Sequence, residues 1–312
     1  MSSQTDTTPD GWLGFELSVL RRLKFRSVAL PFAGEPDLGL YLKRWGVRVA
    51  ANDTAQWAWT KGVACVENNA ERLSGEEVEA LVEDLYVPGE KMSNPALTRW
   101  FNETDAWWFD NLRVNAERLT SATARALALT LGMMVGDYVL SFDAETRGLR
   151  EPLALSMVFR RLWQSFPPPV NNSQRNTCAS VETRRFVAEQ HTDMLFLRLP
   201  GNLRGRRPVR NSPLSWREEW VRGGDDFWDE FERGRAGGLG SSVETKQQYL
   251  SLVEDLLRTA AHLPAWAVAC VEDGFISSAD LTEIVNRVRK VEHIYTKDFS
   301  ELMGVRAVII TA

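Results

Sequence analysis

With 312 residues the chain can bury a full core as one elaborated domain, or as a core with an inserted subdomain, and needs no disulfides to fold. Its formal net charge of -5 excludes a protein that coats duplex DNA through bulk electrostatics, though not one with a local basic groove. Cys65, Cys178 and Cys270 are widely spaced without a C-x-x-C pair, which excludes a disulfide framework and the common zinc patterns, so buried free thiols and no metal are expected.

The amino terminus, MSSQTDTTPD, is polar and lacks the basic-then-apolar order of a signal peptide; residues 1–10 are expected to be a disordered tail. SVALPF (27–32) and VRVAAND (47–53) have the apolar character of buried strands, with helical LGLYLKRWG between them. Together they predict a βαβ unit with a ligand crevice at the strands' carboxyl ends. In LSGEEVEALVEDL, Ser74 and Glu77 have capping-box spacing, and Val78, Leu81, Val82 and Leu85 recur with helical period. YVPGEKMSNP breaks that pattern, and helical segments then run from about Leu97 to Leu140 with no strand among them. The longest apolar stretch, Ala126 to Leu140, is too short and interrupted to span a bilayer, so a cytoplasmic protein with no membrane partner is expected.

DMLFLRLP (193–200) predicts a further strand, KQQYLSLVEDLLRTAAHL an amphipathic helix, and WAVACVED another strand. A turn at Gly274 and a helix capped by Ser277 follow, before KVEHIYT and VRAVIIT, two strands able to pair at a sheet edge. This order predicts an α/β fold, a doubly wound Rossmann-like sheet formed by residues 11–70 and 151–312, with a helical insert at 71–150.

After the first strand, glycine would let the backbone approach a ligand and leave helix amides free, yet Glu35, Pro36 and Asp37 stand there instead. Proline suits a first helical turn and acids satisfy its orphan donors, so this helix is expected to cap itself. Asp53, closing the second strand, can accept ribose hydroxyls or cap the next helix.

PFAG (31–34), the block from Gly39 to Asn69, FDNLRVN (109–115), LPGN (199–202) and the block from Ala260 to Val285 occur in the order found in Dam-type adenine-specific DNA methyltransferases, which the chain resembles. The resemblance implies a doubly wound methyltransferase sheet, S-adenosylmethionine held at Pro31, Phe32, Ala33, Gly34 and Asp53, and a helical recognition insert. It also shows losses. The family's loop aspartate falls on Leu30 and a loop glycine on Pro36. The catalytic D-P-P-Y tetrad falls on Arg198, Leu199, Pro200 and Gly201. In a working member the aspartate accepts hydrogen bonds from the target amine while the aromatic stacks on the flipped base. Arginine has no acceptor and glycine no face for stacking. Weak cofactor binding is expected to persist; methyl transfer to adenine is not.

The basic segment RLPGNLRGRRPVRN makes Arg204, Arg206, Arg207 and Arg210 the nucleic-acid candidates. His191, His262 and His293 are isolated and belong to no catalytic signature. GGDDFWDEF is expected to be a solvated amphipathic turn, and one of Trp107 and Trp108 is expected to be exposed. The sequence as a whole predicts a catalytically inactive methyltransferase-like protein that binds DNA or a partner protein, such as an active methyltransferase or another subunit of a modification or defence system. An active S-adenosylmethionine-dependent DNA methyltransferase with diverged motifs is the alternative.

Overall fold

Runs of small and apolar residues buried along almost their whole length are strands covered on both faces. In the computed structural model, which describes residues 11–83, 91–142, 146, 153–201, 210, 212–272, 274–300 and 304–312, two such runs form β1 (Ser27–Leu30) and β2 (Arg48–Asn52). They are parallel, with Ser27 opposite Arg48, and α2 (Asp37–Arg44) crosses between them. The expected tail at 1–10 lies outside the described residues.

The sheet continues on both sides of this pair. β3 (Thr177–Ala179) joins β2; β4 (Met194–Arg198) joins the other side of β1, and β5 (Ala265–Glu272) joins β4, all parallel. β6 (His293–Asp298) and β7 (Arg306–Thr311) pair antiparallel, and β7 also lies antiparallel on β5. The order β3-β2-β1-β4-β5-β7-β6 is that of a mostly parallel, Rossmann-like α/β sheet whose winding reverses between β1 and β4. β3 has no counterpart in the sequence reading: three residues, none of them fully buried, are too few to show a period.

Side chains alternate along each strand, so each strand feeds two cores. Leu195, Leu197, Val268 and Val308 pack with α8 (Thr183–Ala188), α11 (Lys246–Thr259) and α12 (Ser278–Val288). Met194, Phe196, Ala267 and Ile309 pack with α1 (Trp12–Leu20) and α2 on the opposite face. The expected capping box is present at Ser74–Glu77, and a second stands at Ser277–Asp280.

A third core belongs to helices alone. It joins α4 (Gly75–Leu81), α5 (Glu103–Glu117), α6 (Ala122–Leu140) and α7 (Leu155–Ser165), and it takes in Trp216 and Trp220 from the distant α9 (Ser215–Arg222). The helical layer reaches the sheet through α3 (Gln56–Gly62) and the π-helical turn Val63–Glu67. Trp107 and Trp108 are both half-buried, so neither is the exposed ring expected, and Trp108 packs edge-on against Phe109 and Phe159. GGDDFWDEF is not a solvated turn either. Trp228 at the start of α10 (Trp228–Arg235) is buried and donates its indole N–H to Glu219 at 2.9 Å. Among the described residues no helix is long and apolar enough to cross a membrane.

Candidate functional site

A cleft of about 640 Å3 opens at the carboxyl ends of β1, β2, β4 and β5, across the point where the strand order reverses. Open α/β sheets bind ligands at this place, because loops diverge there and leave a crevice. Of the expected cofactor residues, Phe32, Gly34 and Asp53 line it; Pro31 and Ala33 do not. Those two brace the loop instead, since Pro31 accepts a hydrogen bond from Asn52 Nδ2 at 3.3 Å and the Ala33 amide donates to the Asn52 carbonyl at 3.0 Å. The four residues in the place of the tetrad, Arg198, Leu199, Pro200 and Gly201, all line the cleft.

Asp53 ties two turns of the backbone together, although α3 itself starts from Ala55 without a side-chain cap. Its Oδ2 accepts the Gly34 amide at 2.9 Å, tying the loop after β1 to the end of β2, and its Oδ1 accepts the Ala55 amide at 2.9 Å, fixing the turn into α3. A carboxylate offers about four acceptor positions, so both oxygens keep capacity for a ligand facing the cleft. Gly34 sits at φ +56°, and a Cβ there would meet nothing within 4 Å; the backbone, not the space, asks for glycine. Burial is the largest influence on Asp53 and pushes its carboxyl up, against the two amides and the nearby Arg235 guanidinium.

Arg235, at the end of α10, also lines the cleft. One of its five N–H groups donates to the Gly240 carbonyl at 2.7 Å, and the guanidinium lies 5.2 Å from the Phe231 ring centre. Burial pushes its pKa down, while Asp53 and then Glu218 oppose that. The cleft therefore presents a carboxylate and a guanidinium together, a pair suited to a polar ligand with both hydroxyl and acidic groups.

Arg198 is not free for chemistry. Its Nε and Nη2 donate to the two oxygens of Glu16 at 2.8 and 2.6 Å, and Glu16, on α1, is completely buried. The Arg198 side chain thus locks α1 against the end of β4. Tyr249 of α11 steadies the next residues by donating its hydroxyl to the Pro200 carbonyl at 2.7 Å.

The acidic loop does not cap its own helix as expected. α2 begins at Asp37 with Pro36 before it and receives no side-chain cap. Glu35 turns away to Lys61 of α3, at 3.0 and 2.8 Å, and to Arg217 of α9, at 2.7 Å. Arg217 in turn holds Asp137 of α6 through two bonds, at 3.0 and 2.6 Å. Next to it, Glu218 accepts the Gln56 and Trp57 amides at 3.0 Å each and so satisfies the first free amides of α3. One loop carboxylate therefore fastens the sheet to α3 and α9, and Arg217 carries the link on to α6.

Burial raises the Glu35 carboxyl, but Lys61 and then Arg217 outweigh it and hold the group below its ordinary value of 4.5. A depressed pKa contributes stability that is complete above that ordinary value and is lost as the pH falls through the folded one. The melting-temperature gap between the wild type and Glu35→Gln should accordingly be constant from neutral pH down to about 5 and close below it. A gap that widens on acidification would show that the pairs do not stabilise the loop.

The remaining candidates lie elsewhere. Arg210 forms an ion pair with Asp225 at 3.1 Å, away from the cleft, and Arg204, Arg206 and Arg207 lie outside the described residues. The His191 and His262 rings are 6.2 Å apart, but neither lines the cleft, and both ring nitrogens of His262 face backbone carbonyls. Cys65 and Cys178 are half-buried and Cys270 is buried, all as free thiols. Among the described residues no three metal-ligating side chains lie close enough to hold an ion.

Sequence reasoning missed Glu16, Lys61, Arg217, Arg235 and Tyr249. Only Glu16 carried a signal, as the single acid in the apolar helix WLGFELSVL; the others are ordinary polar residues whose partners are distant in the chain. No protein-family model matches this chain, and no curated protein matches it.

Proposed function

We propose that this protein is a methyltransferase-shaped recognition module: it holds a nucleoside-type ligand in the switch-point cleft without transferring a methyl group, and it acts by binding nucleic acid or a partner protein. The observation that carries the reading is Arg198, fixed by both N–H contacts to buried Glu16 at the position where an adenine methyltransferase needs an acceptor. A guanidinium cannot accept the target amine's proton or orient its lone pair. Loss of one such preorganised acceptor costs on the order of 10² to 10³ in rate, and Gly201 removes the stacking face as well.

The cleft's residues fit a nucleoside. Asp53 has acceptor capacity to spare toward a ribose diol, Gly34 leaves open space beside the backbone, and Arg235 offers donors to an acidic group. S-adenosylmethionine, when bound, would supply an activated methyl; this chain's residues bind and orient, and none of them accepts a proton from an amine at the tetrad position.

Titration calorimetry with S-adenosylhomocysteine should give saturable binding, and Asp53→Ala should weaken it about ten-fold or more through the lost charged hydrogen bonds. Methyl transfer to adenine-containing DNA should be undetectable in the same preparation. Turnover above the no-enzyme rate would replace this reading with that of an active methyltransferase.

A further inference from the structure

Among the described residues that line the switch-point cleft, five carry charge: Glu35, Asp37, Asp53, Arg198 and Arg235. Three of them are accounted for. Arg198 is paired with buried Glu16, Glu35 with Lys61 and Arg217, and Asp37 is exposed to water in the first turn of α2, where the helix dipole favours an acid. That leaves Asp53 and Arg235. Asp53 is the first of the charges that oppose burial at Arg235, yet no ion pair or hydrogen bond joins the two.

The position of Arg235 is built. Its guanidinium lies over the Phe231 ring, and one of its five N–H groups donates to the Gly240 carbonyl at 2.7 Å. Gly240 has a left-handed φ of +92°, and a Cβ there would lie 3.1 Å from Arg235 Nη2, so this glycine both turns the chain and leaves room for the guanidinium. Among the described residues the other N–H groups of Arg235 find no acceptor, and the side chain stays half-buried on the cleft wall. A partly desolvated guanidinium with most of its donors unspent suits an anion, and its planar fork matches the oxygens of a phosphate.

Charge then narrows the ligand class, on the reading of the cleft as a nucleoside site. In dinucleotide-binding sheets an acid at the end of the second strand takes ribose hydroxyls, and an arginine nearby accommodates a phosphate on the same ribose. Asp53 follows β2 directly, and Arg235 brings the second element from α10, far along the chain. A ribose with both hydroxyls free would use Asp53 and leave the guanidinium unmatched. S-adenosylhomocysteine carries an ammonium beside its carboxylate and so brings no net charge to it, whereas a phosphate monoester near neutral pH brings between one and two negative charges. We propose that the cleft selects a nucleotide whose ribose carries a phosphate on its 2′ or 3′ oxygen, the remaining hydroxyl donating to Asp53 and the phosphate accepting from Arg235.

The probes are adenosine 3′-monophosphate and adenosine, each titrated calorimetrically into the full chain. The nucleotide should bind about ten-fold or more tighter than the nucleoside, as a charge-assisted contact provides. Arg235→Gln should bring the ratio of the two affinities down to about one, and Arg235→Lys, which keeps the charge without the fork, should restore part of it. Gly240→Ala, at a position that does not line the cleft, should also lower the ratio by crowding the guanidinium, and it carries the test if the Arg235 variants fail to fold by circular dichroism. With adenosine bound, a nucleotide that binds no tighter, or a preference that survives Arg235→Gln, overturns the assignment and leaves the reading of the cleft in place. An equal gain from adenosine 5′-monophosphate overturns it too, since that phosphate is remote from the hydroxyls that Asp53 would meet. Absence of binding by adenosine, S-adenosylhomocysteine and the nucleotide alike removes the reading of the cleft and this inference with it.

Discussion

Arg198→Asp should destabilise the protein by about 3–5 kcal/mol and yield no methyl transfer, although it sets an aspartate where the resemblance to adenine methyltransferases expects the catalytic acid. Glu16 is completely buried, and both N–H contacts from Arg198 end on its two oxygens. Removing the guanidinium leaves a buried carboxylate uncompensated, and the new aspartate sets a like charge against it. Replacing both partners by leucine is a different experiment. A buried ion pair exchanged for apolar side chains of similar volume is often neutral or stabilising, so Glu16→Leu/Arg198→Leu should lie near the wild type while each single leucine variant loses several kcal/mol. Urea unfolding of the three variants measures this. Single variants as stable as the wild type would mean that the pair is dispensable to the fold.

That distinction matters for function because the two long-range ion pairs explain the two oddities of the sequence. Arg198 stands where the resemblance expects a catalytic acid, and Glu35 precedes the proline that stands where it expects a glycine; each pairs with a residue 182 positions away. Both side chains fasten layers together instead of facing a ligand. Asp53 and Gly34 still line the cleft and are joined by a hydrogen bond, which favours binding over catalysis.

The parts of the fold that could be read in advance are those set by local rules. β1, β2, β4 and β5 are near-continuous apolar runs, and the helix after Ser74 announces itself by a capping box, so the βαβ unit and these strands follow from pattern while the edge strand β3 does not. What could not be read depends on pairing across the chain. Glu35 looked like a helix cap because proline and acids do suit a first turn; its actual partners, Lys61 and Arg217, were decided by how α3 and α9 stack. Glu219 is a similar case. It is completely buried and accepts from Arg99 and from the indoles of Trp100 and Trp228, a role that the polar spelling WREEW conceals. Burial of Trp216, Trp220 and Trp228 beside charged neighbours is a tertiary decision, and propensity carries no trace of it.

Gly136→Ala should likewise damage the fold, and through it the cleft, although alanine is the better helix former by about 1 kcal/mol. A Cβ on Gly136 would lie 2.1 Å from Cη2 of Trp216, and one on Gly132 would lie 2.2 Å from Cη2 of Trp220. Both rings are buried, and Trp220 is further fixed by its indole N–H to the Phe109 carbonyl at 2.8 Å, so neither can swing aside. The two glycines, four residues apart on α6, are sockets for two tryptophans four residues apart on α9. Overpacking of this kind costs about 1–3 kcal/mol and occasionally more, and a contact near 2 Å with a rigid ring belongs at the upper end. A double-mutant cycle separates this from a general weakening of α6. Trp216→Leu removes the clash, so Gly136→Ala/Trp216→Leu should be at least about 1 kcal/mol more stable than the two single changes predict by addition. Strict additivity would mean that the glycine is not there for the ring. Because Arg217 and Glu218 lie beside Trp216 on α9, Gly136→Ala should also loosen their hold on Glu35 and on the start of α3, both at the cleft, and so weaken S-adenosylhomocysteine although Gly136 itself does not line it.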